Sequence, residues 1–213
     1  MTHRIYLHPL PVRIWHWTNA ATCVMLLLTG VQLRYVGLID VVSFRTAVIM
    51  HNYLGFLLIA NFFLWLGYYL SSPRIRTWHT ELNPVKYFQG ALSQTLYYTW
   101  GIFKRATPPF RPSIYHKFNP LQAMTYQIIM FVVLPIQAVT GLMLWNLFGF
   151  SRAVAFVGGV RVVDTVHVLI FIFFVFFIPA HFYLGTMGRR PTSHFKEMYT
   201  GYEEEEADTD AAE

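Results

Sequence analysis

Residues 162–187 read VVDTVHVLIFIFFVFFIPAHFYLGTM, an apolar run that carries two histidines, His167 and His181, fourteen positions apart. On a helix, at 100° and about 1.5 Å per residue, they fall within roughly 40° of one face and about 21 Å apart along the axis. That interval fits inside a hydrocarbon core of about 30 Å. An imidazole in such surroundings costs free energy unless a bond satisfies it. One helix therefore offers two cofactor positions, one near each membrane surface, if two more histidines face it, and His16 and His51 are the candidates.

Composition sets the frame. The 213 residues are 55% hydrophobic and 18% aromatic with 13% charged, too apolar for an ordinary soluble domain and suited to a small multi-span membrane protein. A single cysteine, Cys23, excludes an internal disulfide and a cysteine-held iron-sulfur cluster, and reads as a small packing residue. The formal charge of +5 is scattered among apolar spans and forms no patch, so nucleic acid is not an expected partner.

Four segments are expected to cross a bilayer, at about 14–33, 47–70, 122–148 and 162–187. Arg4 and Arg13 ahead of the first give it the look of a secretory signal, but no small-x-small cleavage pattern follows and His16 and Trp17 lie within it, so it reads as a retained helix. Between the second and third spans, Asn83 before Pro84 marks a helix start. The polar and aromatic stretch to Lys104 then reads as a helix lying in the interface. A fifth span there is the rival reading, and it would pull the paired histidines to opposite depths. Residues 1–201 form one domain, and 202–213 read as an acidic, disordered tail.

Lysine and arginine set the orientation. The N-terminus, the 71–121 segment and the C-terminal region hold Arg4, Arg13, Arg74, Arg76, Lys86, Lys104, Arg105, Arg111, Lys117, Arg189, Arg190 and Lys196, against Arg34, Arg45, Arg152 and Arg161 opposite. Both termini are expected to be cytoplasmic. His16, just after Arg13, then lies at the same depth as His181, and His51 at the same depth as His167.

Two histidines at one depth, with no carboxylate or cysteine beside either pair, suit the two axial positions of haem iron better than a zinc site. Closing both positions favours electron transfer over oxygen chemistry, and a helix bundle is an ordinary place for such cofactors. The fold expected is an all-α membrane protein, a four-helix bundle holding two b-type haems. Gly55 and Gly185 each follow a histidine by one turn, where a flat macrocycle needs a side chain removed. Gly30 and Gly141 serve either that purpose or close helix packing. A proton relay is the other use of buried histidines, with Asp164 the one acid near them. His3, His8, His79, His116 and His194 fall outside the spans and read as solvated or interfacial.

The segments RIWHW (13–17), RTAVIMHNYLG (45–55), HKFNPLQ (116–122) and TGLMLW (140–145), with the spaced His167 and His181, resemble the di-haem cytochrome b membrane anchors of bacterial respiratory complexes. That family includes the membrane subunits of formate dehydrogenase, nickel-iron hydrogenase and thiosulfate reductase, and the likeness runs to about Gly201. The long 71–121 segment makes the chain most similar to the thiosulfate reductase type. The resemblance implies that His16 and His181 ligate a cytoplasmic-side haem b and His51 and His167 an outer one, in agreement with the depth argument. It further implies a quinone site at the entry to the third span. There Asn119 and Gln122 contact a quinone, menaquinone or ubiquinone, although Pro120 and Leu121 stand where the family often has glycine before the glutamine. Asn119 reads equally well as the cap of the third helix.

The function expected is an electron-transfer subunit, rather than the catalytic subunit, of a respiratory oxidoreductase in the bacterial inner membrane. It would link the quinone pool on the cytoplasmic side to a redox subunit on the outer face, of iron-sulfur, molybdopterin, hydrogenase or multihaem type. Other classes are a stand-alone quinone-linked oxidoreductase acting on superoxide or a metal, a histidine-based proton-coupled transporter, and a structural anchor.

Overall fold

The computed structural model describes residues 2–78, 83–104, 106–110, 118–187 and 191–206, with side chains left out at 2–3, 76–78 and 204–206. Strand β1 (Thr2–Tyr6) leads into α1 (Leu10–Arg34), followed by α2 (Phe44–Ser71) and a 3-10 turn (Pro73–Trp78). Then come α3 (Pro84–Leu96), α4 (Pro120–Trp145), short α5 (Ser151–Phe156), α6 (Val160–Gly185), α7 (Ser193–Thr200) and β2 (Tyr202–Glu206).

The helix starts follow local chemistry. The Ser43 hydroxyl accepts from Thr46 N at 3.2 Å and caps α2. Asn83 accepts from Val85 N and Lys86 N to cap α3. Asn119 and Gln122 form a reciprocal capping box on α4, with Pro120 in the first turn, where its missing N–H costs nothing. Inside α4, residues Ile129–Val133 widen into a π turn. Pro135 follows, which has no N–H for Phe131 O and crowds it. Beyond Leu96, α3 loosens in the same way through a π turn (Tyr97–Gly101) and a 3-10 turn (Ile102–Lys104).

Helices α2, α4 and α6 are long and apolar enough to cross a membrane, three among the described residues where the sequence reading expects four. At 25 residues α1 has the length, but it carries Arg13, His16, Asn19, Gln32 and Arg34. Of these Gln32 is buried, as are Thr22 and Thr29 of the same helix. The observed helices α1, α2, α4 and α6 begin two to four residues earlier than the spans read from sequence, because the caps and the first polar turn belong to the helix though not to the apolar run.

Helix α1 packs along α2, α4 along α6, and α1 touches α6 as α2 touches α4, closing a four-helix bundle. Val12, Leu58, Trp65, Tyr69, Met130 and Leu134 form its core cluster at one end. Buried Asn61 of α2 donates to Trp15 O of α1 at 3.1 Å, fixing their register. Large apolar side chains cover the outside, among them Phe63, Leu64, Phe131, Leu169 and Phe176, as a surface facing hydrocarbon requires. Helix α3 abuts the start of α4. A Cβ at Gly90 would lie 2.9 Å from Pro120 Cγ, and Tyr87 OH donates to Pro120 O.

The tail expected to be disordered is a strand over Tyr202–Glu206. It pairs antiparallel with β1 in a register that sets Arg4 opposite Glu204 and Tyr6 opposite Tyr202. The partner strand lies at the other end of the chain, so nothing local in the acidic run announces the pairing. Residues 207–213 lie outside the described residues. Gly201 makes the junction: its φ is 92°, its carbonyl accepts from Leu7 N and His8 N, and a Cβ there would lie 2.7 Å from His8 O. Arg13 Nη1 donates to Tyr199 O and Trp17 Nε1 to Met198 O, tying α7 to the start of α1.

Candidate cofactor site

Helix α6 presents His167 near its start and His181 near its end, and each meets a histidine of another helix. The rings of His181 and His16 of α1 have centres 6.3 Å apart at 49°, and those of His167 and His51 of α2 are 6.4 Å apart at 68°. The depth argument is thus realised as two ring pairs. A metal held between two imidazoles, with bonds of about 2 Å and ring centres roughly 1.1 Å from each nitrogen, sets the centres roughly 6.2 Å apart. Both pairs have the spacing of an axial ligand set. No group of three or more histidine, cysteine, aspartate or glutamate side chains gathers among the described residues, so nothing there resembles a zinc site built from protein ligands alone.

The pairs differ in their surroundings. At the pair near the start of α6, His51 Nδ1 is 2.9 Å from Thr29 Oγ1 of α1, and His167 Nδ1 is 3.0 Å from Thr140 Oγ1 of α4. Gln137 Nε2, one turn before Thr140, donates to His167 Nε2 at 3.3 Å. Gly30 and Gly141, each next to its threonine, let the ring come close. A Cβ at Gly30 would lie 3.6 Å from His51 Cε1 and 3.3 Å from Phe171, and one at Gly141 only 3.2 Å from His167 Cε1.

At the pair near the end of α6, His16 and His181, the neighbours are aromatic. Phe177 stacks on His181 at 5.6 Å and 21°, Tyr126 of α4 stands edge-on to it at 6.4 Å, and Trp17 stands edge-on to His16 at 5.3 Å. Asn119 and Gln122 begin α4, with Gln122 one turn before Tyr126. Their acceptor atoms are committed to the capping box, while buried Asn119 donates from Nδ2 to Tyr98 OH at 3.2 Å. Burial pushes the Tyr98 hydroxyl pKa up, despite hydrogen bonds from Gln94 and Asn119 that act the other way, so this phenol is neutral at physiological pH.

Of the other expected residues, Gly55 has open space where a Cβ would project, one turn from His51. Gly185 is covered by Phe195 of α7, 3.3 Å from where its Cβ would lie. The outer-end Arg34 pairs with Asp164 at 3.4 Å. His194 pairs with Glu197 at 3.0 Å, and His79 and His116 lie outside the described residues. Sequence reasoning missed Thr29, Thr140, Gln137, Tyr126 and Phe177. The signal for the threonines was a repeated dipeptide, Thr-Gly, in LLLTGVQL (26–33) and QAVTGLML (137–144).

No solved structure matches the chain. It is 36% identical over 203 residues, 93% of this chain and 74% of the relative, to the Escherichia coli (strain K12) protein named "Putative cytochrome YdhU". Residues 7–201, the whole bundle with both histidine pairs, match the family model described as Prokaryotic cytochrome b561. The chain therefore belongs to the prokaryotic cytochrome b561 family, membrane proteins that bind b-type haem and transfer electrons.

Proposed function

We propose that this protein is the di-haem membrane subunit of a respiratory oxidoreductase, moving electrons between the quinone pool on the cytoplasmic side and a redox subunit on the outer face. The observation that carries this is the pairing of four histidines from three helices into two ring pairs, each at ligand spacing and both anchored on α6. His16 and His181 would hold one group, and His51 and His167 the other. Bound there, haem b supplies one-electron redox chemistry with both axial positions closed.

Four crossings are supported by the strand pair. Because β1 and β2 hydrogen-bond to each other, the two ends of the bundle chain lie on one side, and the number of crossings is even. Three helices qualify by composition, and α1, packed along α2, supplies the fourth. With the lysine and arginine asymmetry, that side is the cytoplasmic face of the bacterial inner membrane. Along α3 and its extension, Val85, Phe88, Leu92, Leu96, Trp100 and Phe103 recur every three or four residues and are all exposed. With Lys104 over the Trp100 ring, this face suits a helix lying among headgroups.

Asn119, Gln122 and Tyr98 bring polar groups to the start of α4, where a quinone carbonyl would find donors; Gln122 lies one turn before Tyr126, whose ring meets that of His181. Each electron that crosses exchanges up to about 2.3 kcal/mol with a potential of 100 mV. The outer partner supplies the substrate chemistry, since the chain itself carries no second cofactor motif.

A pyridine haemochrome assay with a reduced-minus-oxidised spectrum on the purified protein and on His181→Ala tests the core of this reading. Two haems falling to one is the expected result. A wild type that binds no haem when supplied with it ends the proposal.

A further inference from the structure

Thr29 and Thr140 hold the same chemistry on different helices. Thr29 Oγ1 lies 2.9 Å from Met25 O, and Thr140 Oγ1 lies 2.8 Å from Ile136 O, so each hydroxyl donates its single proton back to its own helix. The oxygen that then faces the imidazole can only accept. The proton in each bond is therefore on Nδ1 of His51 and of His167, which makes Nε2 the nitrogen of each ring that carries the lone pair. At His167 a second neighbour agrees on the tautomer, since the Gln137 amide donates to that Nε2 lone pair, a hydrogen bond that ligation of iron would replace.

The arrangement occurs twice. The threonine precedes its histidine by 22 residues in one case and by 27 in the other, across unrelated loops. In both cases a glycine follows the threonine and clears the approach of the ring. Both threonines are buried.

We propose that Thr29 and Thr140 are positioning residues that fix the tautomer and aim of the outer histidine pair, so that both rings present Nε2 to the haem iron. The inference rests on the two-haem reading and deepens it. An Nδ1–H that donates to an oxygen makes the imidazole a stronger electron donor, which favours ferric iron and lowers the reduction potential of that haem.

The test is a potentiometric titration of both haems in wild type, Thr29→Val, Thr140→Val, the matching serine variants, and His167→Ala, whose remaining haem identifies the inner potential. Each valine variant is expected to raise the potential of the outer haem alone and to weaken haem binding there roughly ten- to a hundredfold. The serine variants, which keep the hydroxyl, should match wild type. Should a valine variant fail to insert, alanine at the same position, with its serine counterpart as reference, gives the same readout. A wild type with two haems and valine variants unmoved in potential and affinity overturns the threonine assignment alone, as does a shift confined to the inner haem. A wild type without haem overturns both this and the two-haem reading.

Discussion

The two ends of α6 solve one problem in different ways. At the outer end, His51 and His167 are held through Nδ1 by hydroxyls on neighbouring helices, so the direction of each ring is set by hydrogen bonds. At the inner end, His16 and His181 sit among Trp17, Tyr126 and Phe177, and ring packing does the holding. A hydrogen bond specifies one nitrogen, whereas a stacked ring specifies a plane. Tyr126, which meets the His181 ring, lies one turn after Gln122 of the capping box.

The difference can be broken most sharply by removing ligands. His51→Ala and His167→Ala should each abolish the same haem, and His16→Ala should abolish the other, read as loss of one of two components in a redox titration. Loss of both haems from any one variant would mean that the pairs are not independent sites.

Next in size are the glycines. Gly141→Leu places side-chain atoms where a Cβ alone comes within 3.2 Å of His167, and overpacking of this kind costs about 1–3 kcal/mol. It should empty the outer site and spare the inner one. Gly185→Leu meets Phe195 instead, so it should loosen α7 and lower thermal stability while both haems stay. Haem loss from the outer site in Gly185→Leu would contradict this division.

A smaller effect separates cap from substrate contact at the inner end. Asn119→Ala removes the α4 cap, at about 1 kcal/mol of stability, whereas Asn119→Asp keeps an acceptor for Gln122 N but loses the donor to Tyr98. If the amide also contacts a quinone, Asn119→Asp should slow haem reduction by a quinol analogue with the melting temperature nearly held. An unchanged rate leaves Asn119 as a cap alone.

The smallest effect lies at His194, whose pKa is raised, first by its hydrogen bond to Glu197. A raised folded-state pKa stabilises at pH below the unfolded value of 6.5 and is lost as pH climbs through the folded value. A slight fall in melting temperature is expected upward from that pH, and His194→Ala should flatten it. An unaltered slope in the variant would exclude this pair as its source.

Much of the site was legible because a helix converts residue number into depth. The interval from His167 to His181, and the basic residues flanking His16, determined which rings share a depth before any contact was known. Asn119 shows the limit: Asn before Pro announces a helix start, and the structure supplies the capping box, but the bond to Tyr98 links residues 21 apart across a segment without periodicity. Gly185 was expected beside a macrocycle, one turn from His181, yet what lies where its Cβ would project is Phe195, which no local pattern reveals. The acidic run after Gly201 was read from its composition alone, and its strand depends on backbone groups at the opposite terminus.

The amino-acid sequence alone carried the apolar runs and the expectation that four histidines match in pairs, because hydropathy and the 3.6-residue period act between near neighbours. Tertiary structure supplies the hydroxyl that meets Nδ1 of His51 and of His167, since each comes from a threonine on a different helix. It also decided that both ends of the bundle meet in a two-stranded sheet. Such contacts join residues far apart in the chain, and only the packing of α1 on α2 and of α4 on α6 brings their partners within reach.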